Sequence, residues 1–129
     1  MSILQFAVES VLKLHPCVEN ICVVAHSTET FCVAVVVPSK PQLAKLAGVS
    51  PDELEACLED RKVLDTLARD LLNFGPQKGL EKFEVPRKVA LVLDDWTPDS
   101  GLVTAALKLR RKQVEEKYSG EIQRLYRGN

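Results

Sequence analysis

The chain opens with apolar residues that recur at helical spacing. They return every three or four positions, which is the period of one face of a helix. We therefore expect a helix over residues 3–14, and His15-Pro16 should end it because the residue before a proline avoids helical geometry. The positions of this apolar stripe are Leu4, Val8, Val11 and Leu12.

Two nearly unbroken apolar runs come next, at residues 19–25 and 31–37. Both are short and rich in β-branched residues, a composition typical of strands. The polar residues 26–30 between them suit a hairpin loop. Because neither run alternates regularly with polar residues, we expect both strands to be buried on both faces.

Helix-capping residues mark two helices in the middle of the chain. Ser50, Pro51 and Glu53 supply an N-cap, a proline at the first helical position and an acid that can close a capping box. Asp60 supplies a second N-cap, and the helix that follows it should end near Gly75-Pro76. The apolar stripe of this second helix consists of Val63, Leu64, Leu67, Leu71 and Leu72.

The last third of the chain predicts one more strand, a loop and a long helix. The strand should span residues 88–93, and the loop residues 94–101. The last helix should run from about residue 105 to residue 126. We find no repeat or long linker, so residues 1–129 should form a single domain. We assign it to the α+β class, loosely α/β, with a small sheet of about three strands, an N-terminal hairpin and covering helices.

Composition narrows the possible functions. Hydrophobic residues make up 46% of the chain and charged residues 27%, and the formal net charge is −1. No overall field therefore attracts the protein to nucleic acid or to an anionic membrane. The longest apolar runs are far below the roughly 20 residues needed to span a bilayer, and the N-terminus has no basic segment followed by a signal core. We expect a soluble intracellular chain with no nucleic-acid partner and no transmembrane segment.

The cysteines and histidines show no pattern of reactive chemistry. The gaps between the cysteines match no zinc or redox motif, so we interpret them as buried free thiols and predict no metal site. His15 lies at a helix end and His26 in a polar turn, with no visible partner for metal or triad chemistry. The four cysteines are Cys17, Cys22, Cys32 and Cys57.

A basic segment near residue 110 is the most unusual local chemistry. On a helix, Lys108, Arg111 and Lys112 would share one face through i, i+3 and i+4 spacing. That face could bind an anion. The alternative is an ordinary solvated surface, because charge runs are usually exposed.

The segment that contains these cations resembles the C-terminal signature of long-chain acyl-CoA synthetases. Residues 96–112 have the sequence WTPDSGLVTAALKLRRK. Residues 80–89 are similar to the motif that precedes this signature in the family, and residues 122–126 resemble its usual chain end. Residues 19–23 and 35–38 are similar to the hairpin that opens the small lid domain. The resemblance covers roughly residues 8–126, so we identify the chain as similar to that lid.

The resemblance implies roles for the basic residues. Lys108 stands in the position of the catalytic adenylation lysine, three residues before Arg111, as in the lysine-x-x-arginine ending of the family. The glycine that usually precedes this lysine is Leu107 here. Arg111 could orient the lysine, contact phosphate or support the helix. We predict nucleotide or phosphate binding by Arg111 and Lys112.

The resemblance also implies a reaction and partners. Enzymes of the adenylate-forming superfamily activate a carboxylic acid with Mg-ATP and then transfer the acyl group to coenzyme A. We expect this chain alone to bind no cofactor, to depend on a large adenylation domain and to make no acyl-CoA in isolation. Residues 1–7 depart from the usual approach to the lid. A partial product of a longer protein and a free-standing lid that binds or regulates without catalysis both remain open.

Trp96 has two possible roles in this scheme. Exposed in the loop before Lys108, it could pack against the large domain. Tryptophan beside prolines is more often a local plug of the core, and we favour that interpretation.

Overall fold

The computed structural model describes residues 3–127. A three-stranded sheet lies at the centre, with the strands in the order β1, β2, β3. These strands span Val18–Val24, Val33–Pro38 and Lys88–Leu91. The helices are α1 (Ile3–Leu12), α2 (Lys40–Ala47), α3 (Arg61–Gln77), α4 (Arg111–Lys117) and α5 (Ser119–Tyr126), with short 3₁₀ segments at Pro51–Cys57, Lys82–Glu84 and Pro98–Ser100. The α+β prediction is confirmed.

The predicted hairpin forms the first two strands. β1 pairs antiparallel with β2, so that Ile21 lies opposite Val36 and Val24 opposite Val33. β3 then joins the other side of β2 in parallel, with Val33 opposite Lys88. All three strands were placed from sequence to within two residues of their observed ends.

Both faces of the sheet are buried, as the unbroken apolar runs predict. Along β2, Ala34 and Val36 face a core built with α1, α2 and α3, whereas Val33, Val35 and Val37 face a second core built with α4 and α5. Side chains alternate between the faces of a strand, so a strand between two cores must be apolar throughout. The sheet is thus the shared wall of two cores.

The caps predicted in the middle of the chain are present. The Asp60 carboxylate accepts hydrogen bonds from the backbone N–H groups of Lys62 and Val63 at the start of α3. Ser50 closes its capping box with Glu53, although the segment that follows is a 3₁₀ helix. One detail of α3 was wrong, because Leu72 is 39% exposed. The helix ends at Gln77, next to the predicted Gly75-Pro76. The short helix α2 was not predicted separately.

The predicted last helix is wrong in its first part. Residues 102–110 instead form a small hairpin, closed by an antiparallel bridge between Val103 and Leu109. The helical segment begins only at Arg111 and is interrupted at Tyr118. Leu102 and Val103 are buried in the second core, and this burial holds the chain extended against the helix propensity of the alanines that follow.

The cysteines are buried free thiols, as predicted. Burial raises the pKa of the Cys22 thiol to about 12, so this side chain behaves as a small hydrophobe. His15 Nδ1 accepts a hydrogen bond from the Cys17 N–H at 3.1 Å. The ring of His26 stacks on that of Tyr126 with 4.9 Å between centroids.

No helix among residues 3–127 is both long and apolar enough to cross a membrane.

Gly75 lies where α3 packs most closely on the segment before β3. A Cβ atom added at Gly75 would lie 2.7 Å from Val85 Cγ2 and 3.2 Å from Leu80 Cδ1. Because a valine side chain has little freedom to move aside, we expect Gly75→Ala to lower the free energy of unfolding by about 1–3 kcal/mol. Chemical denaturation would measure it.

Gly120 provides the matched control, since it is also a helical glycine. Its nearest neighbour to an added Cβ is Arg124 NH1 at 3.8 Å, an ordinary contact. Gly120→Ala should therefore raise the free energy of unfolding by about 0.5–1 kcal/mol through its helix propensity. Two changes of the same sign would contradict the packing that we describe at Gly75.

Candidate functional site

Lys108 lies on the exposed turn of the 102–110 hairpin, outside any helix. Its backbone C=O accepts a hydrogen bond from the Thr104 N–H at 2.8 Å. Its own N–H donates to Thr104 Oγ1 at 3.1 Å. At the base of the hairpin, the Arg110 N–H donates to the Leu102 C=O at 2.8 Å. A hairpin whose first residues, Leu102 and Val103, are buried therefore carries a solvated lysine near its tip.

The residue before the lysine has an unusual backbone conformation. Leu107 has φ 64° and, within residues 3–127, is the only non-glycine residue with a positive φ. This left-handed region costs a residue with a Cβ about 1–2 kcal/mol, whereas glycine enters it freely. The family that this segment resembles usually has glycine at this position, which suits the turn. Leu107 adopts the same conformation under strain. Its side chain is 68% exposed and has little packing to offset the cost.

Arg111 is engaged in a buried ion pair. Its NH2 group donates to Glu9 Oε1 at 2.8 Å, and the two side chains are only 12% and 7% exposed. Its NH1 group donates to the Val23 C=O at 2.6 Å. Glu9 Oε2 in turn accepts from the Val23 N–H at 2.6 Å. The contact thus joins α1, the outer edge of β1 and the first residue of α4.

The surroundings keep Arg111 charged. Burial by itself lowers the pKa of the guanidinium, but the hydrogen bond and negative charge of Glu9 outweigh this and raise the pKa. Within the described chain, Arg111 Nε is buried without a hydrogen-bond partner. Sequence reasoning missed Glu9 because its partner is 102 residues away. The sequence signal that could have indicated Glu9 was the position of this acid beside the apolar stripe of the first helix.

The three cations do not form the single helical face that the sequence suggested. Lys108 precedes the helix, and α4 begins at Arg111. Lys112 is exposed on the first turn of α4, where it lines a shallow groove together with Arg111, Glu115 and Glu116. Only Lys108 and Lys112 of the three therefore present a solvated charge.

Trp96 is a plug of the second core, as favoured from the sequence. It is buried, and its indole N–H donates to Tyr118 Oη at 3.1 Å. The Tyr118 hydroxyl donates to Asp94 Oδ2 at 2.8 Å. Burial raises the pKa of Tyr118 despite the opposing hydrogen bond from Trp96, so the phenol stays protonated. This chain of contacts, which the sequence did not reveal, anchors the loop that leads into the hairpin.

Residues 3–127 bring together no group of three His, Cys, Asp or Glu side chains able to hold a metal ion. The ammonium group of Lys108 is exposed on the hairpin. Such a group can stabilise negative charge on a partner that approaches the hairpin tip.

Comparisons with known proteins identify the family of this chain. The family model for the AMP-binding enzyme C-terminal domain matches residues 7–99. Long chain acyl-CoA synthetase 8 of Arabidopsis thaliana is 41% identical over 122 residues, which is 92% of this chain and 17% of that protein. Long-chain-fatty-acid–CoA ligase 4 of Saccharomyces cerevisiae is 32% identical over 94% of this chain and 18% of its own length. The chain thus spans less than a fifth of the curated relatives that it matches.

A solved structure with a similar fold is the A-PCP didomain of carboxylic acid reductase from Segniliparus rugosus in complex with AMP. It superposes with a TM-score of 0.80 at 27% identity, over 96% of this chain and 16% of that one. The family model ends at residue 99, whereas this structural match extends over nearly all of the described residues. The family model therefore stops before the hairpin and α4.

Removal of either partner of the buried ion pair should destabilise the fold strongly. Glu9→Gln leaves the guanidinium without a counter-charge, and Arg111→Met leaves the Glu9 carboxylate buried alone. We expect each change to lower the free energy of unfolding by about 3–5 kcal/mol, and the double variant to lose much less than the sum. Chemical denaturation of the unchanged protein, the two single variants and the double variant measures these losses. Glu19→Gln, at an exposed position, is the control. Additive losses would contradict the direct coupling.

The strain at Leu107 should be measurable as well. Leu107→Gly should raise the free energy of unfolding by up to about 1 kcal/mol, because relief of the left-handed strain exceeds the entropic cost of glycine. Leu107→Val should lower it, since a β-branched residue tolerates positive φ least. Leu14 is similarly exposed and has no positive φ, so Leu14→Gly should be destabilising. A loss of stability in Leu107→Gly equal to that in Leu14→Gly would refute the strain.

Proposed function

Because this chain belongs to the family of AMP-binding enzyme C-terminal domains, we propose that it acts as the lid of a long-chain fatty acid–CoA ligase. That reaction converts ATP, a fatty acid and coenzyme A into acyl-CoA, AMP and diphosphate. The acyl-CoA synthetase and ligase names of the relatives support this assignment. Because the chain spans less than a fifth of those proteins, we propose a large adenylation domain as its partner.

The observation that carries the proposal is the placement of Lys108. Its ammonium lies on an exposed hairpin tip whose base is anchored in the second core. When a carboxylate attacks the α-phosphate of ATP, negative charge develops on the surrounding oxygens, and a pre-positioned ammonium stabilises it. We assign this role in the adenylation step to Lys108. A lid that rotates between half-reactions would then withdraw the charge before thioester formation.

We assign different roles to the other two cations, Arg111 and Lys112. The guanidinium of Arg111 already bonds to Glu9 and to the Val23 carbonyl, which supports a role in fixing the start of α4 behind the hairpin. The exposed Lys112 is the better candidate for a phosphate contact. Residues 3–127 contain no group of three His, Cys, Asp or Glu side chains that could bind the magnesium ion of the complete enzyme. We therefore place the binding of Mg-ATP and coenzyme A chiefly on the large domain.

The proposal is tested by replacing Lys108 in a complete enzyme. A suitable protein carries this chain in place of the matching segment of the Arabidopsis relative. We expect Lys108→Ala to slow ATP-dependent adenylate formation about a hundredfold to a thousandfold. Thioester formation from supplied acyl-adenylate should hardly change. Lys108→Arg should not restore the rate, because a planar guanidinium does not occupy the position of a compact ammonium.

Two controls accompany this measurement. Lys62→Ala removes an exposed lysine from α3 and should leave both half-reactions unchanged. The isolated chain should release neither AMP nor acyl-CoA, because the groups that position ATP, acid and thiol are proposed to lie elsewhere. An equal loss in both half-reactions, or no loss of adenylation in Lys108→Ala, would disprove the assigned role. Turnover by the isolated chain would disprove the need for a large domain.

A further inference from the structure

One threonine holds the turn that carries Lys108. Two of its hydrogen bonds use the backbone: the Thr104 N–H donates to the Lys108 C=O, and the Thr104 C=O accepts from the Leu107 N–H, both at 2.8 Å. The third uses the side chain, because Oγ1 accepts from the Lys108 N–H at 3.1 Å. The amides of Leu107 and Lys108 therefore both bond to Thr104.

Lys108 depends on such a restraint because its own side chain supplies none. The side chain is exposed. Among residues 3–127, the salt bridge that forms joins Arg111 to Glu9 and does not include Lys108. The hydrogen bonds of Lys108 use its backbone N–H and C=O groups. The backbone on either side therefore fixes the point from which the side chain extends, while the flexible stem itself is unrestrained within the described part of this chain. Leu107 on one side is strained by its positive φ, so the turn would relax if its hydrogen bonds were weakened.

We infer that Thr104 is a positioning residue for Lys108, its hydroxyl holding the backbone of the lysine so that the side chain starts from one fixed place when the ammonium reaches for the reacting phosphate. This inference rests on the proposed function of Lys108. A threonine suits the task because its β-branched side chain has few rotamers. The hydroxyl and the Lys108 amide are exposed, so water replaces their bond readily and the bond contributes little to stability. Its effect should appear in the rate.

The test compares two changes at Thr104 in the complete enzyme described above. Thr104→Val keeps the shape and both backbone hydrogen bonds but loses the acceptor, whereas Thr104→Ser keeps the acceptor. We expect Thr104→Val to lower kcat for adenylate formation about tenfold to a hundredfold, because small displacements of a catalytic group are costly. KM for ATP, the melting temperature and thioester formation from supplied acyl-adenylate should be unchanged. Thr104→Ser should restore most of the adenylation rate.

A double variant shows whether Thr104 acts through Lys108. Added to Lys108→Ala, the Thr104→Val change should cause no further loss, because the group that it positions is already missing. Additive losses, equal slowing of both half-reactions or a lowered melting temperature would overturn the inference in favour of a structural role. A normal adenylation rate in Thr104→Val, with Lys108→Ala still impaired, would overturn the inference alone. A normal rate in Lys108→Ala would overturn the proposed function as well.

Discussion

The buried contact between Glu9 and Arg111 is the constraint on which the rest of this fold depends. Each charge loses several kcal/mol of hydration on burial, and mutual attraction alone rarely compensates. Here both partners also bond to the backbone of Val23. Its N–H donates to Glu9 and its C=O accepts from Arg111, each at 2.6 Å. The outer edge of β1 is thereby closed at this point by side chains instead of another strand. Helix α1, the sheet edge and helix α4 form one unit.

The hairpin at residues 102–110 stands on this unit. Leu102 and Val103 are buried with Trp96 in the second core, and Arg111 follows the hairpin directly. Its base is thus held from both sides, while its tip has few contacts. A rigid base with a solvated tip suits a group that acts on a partner, because the scaffold fixes the position without covering the charge.

Features encoded locally were predictable from sequence, whereas those that depend on distant partners were not. The strands followed from unbroken apolar runs, and the cap of α3 followed from Asp60. The hairpin was missed because Ala105, Ala106 and Leu107 have good helix propensity, and the burial of Leu102 and Val103 decides against a helix. The family resemblance singled out Lys108 without this geometry, and its catalytic role stays a prediction. The argument from a shared helix face failed, because it assumed a helix that includes Lys108, whereas the observed helix α4 begins at Arg111.

The ion pair also constrains the order in which the protein can fold. Glu9 and Arg111 are separated by 102 residues, and the parallel pairing of β2 with β3 likewise joins Val33 to Lys88. Contacts of such separation form late and slow the search for the native state. During synthesis, the Glu9 carboxylate would have to remain hydrated until Arg111 has left the ribosome. The ion pair that ties the first helix to α4 therefore forms only after nearly all of residues 3–127 have been made.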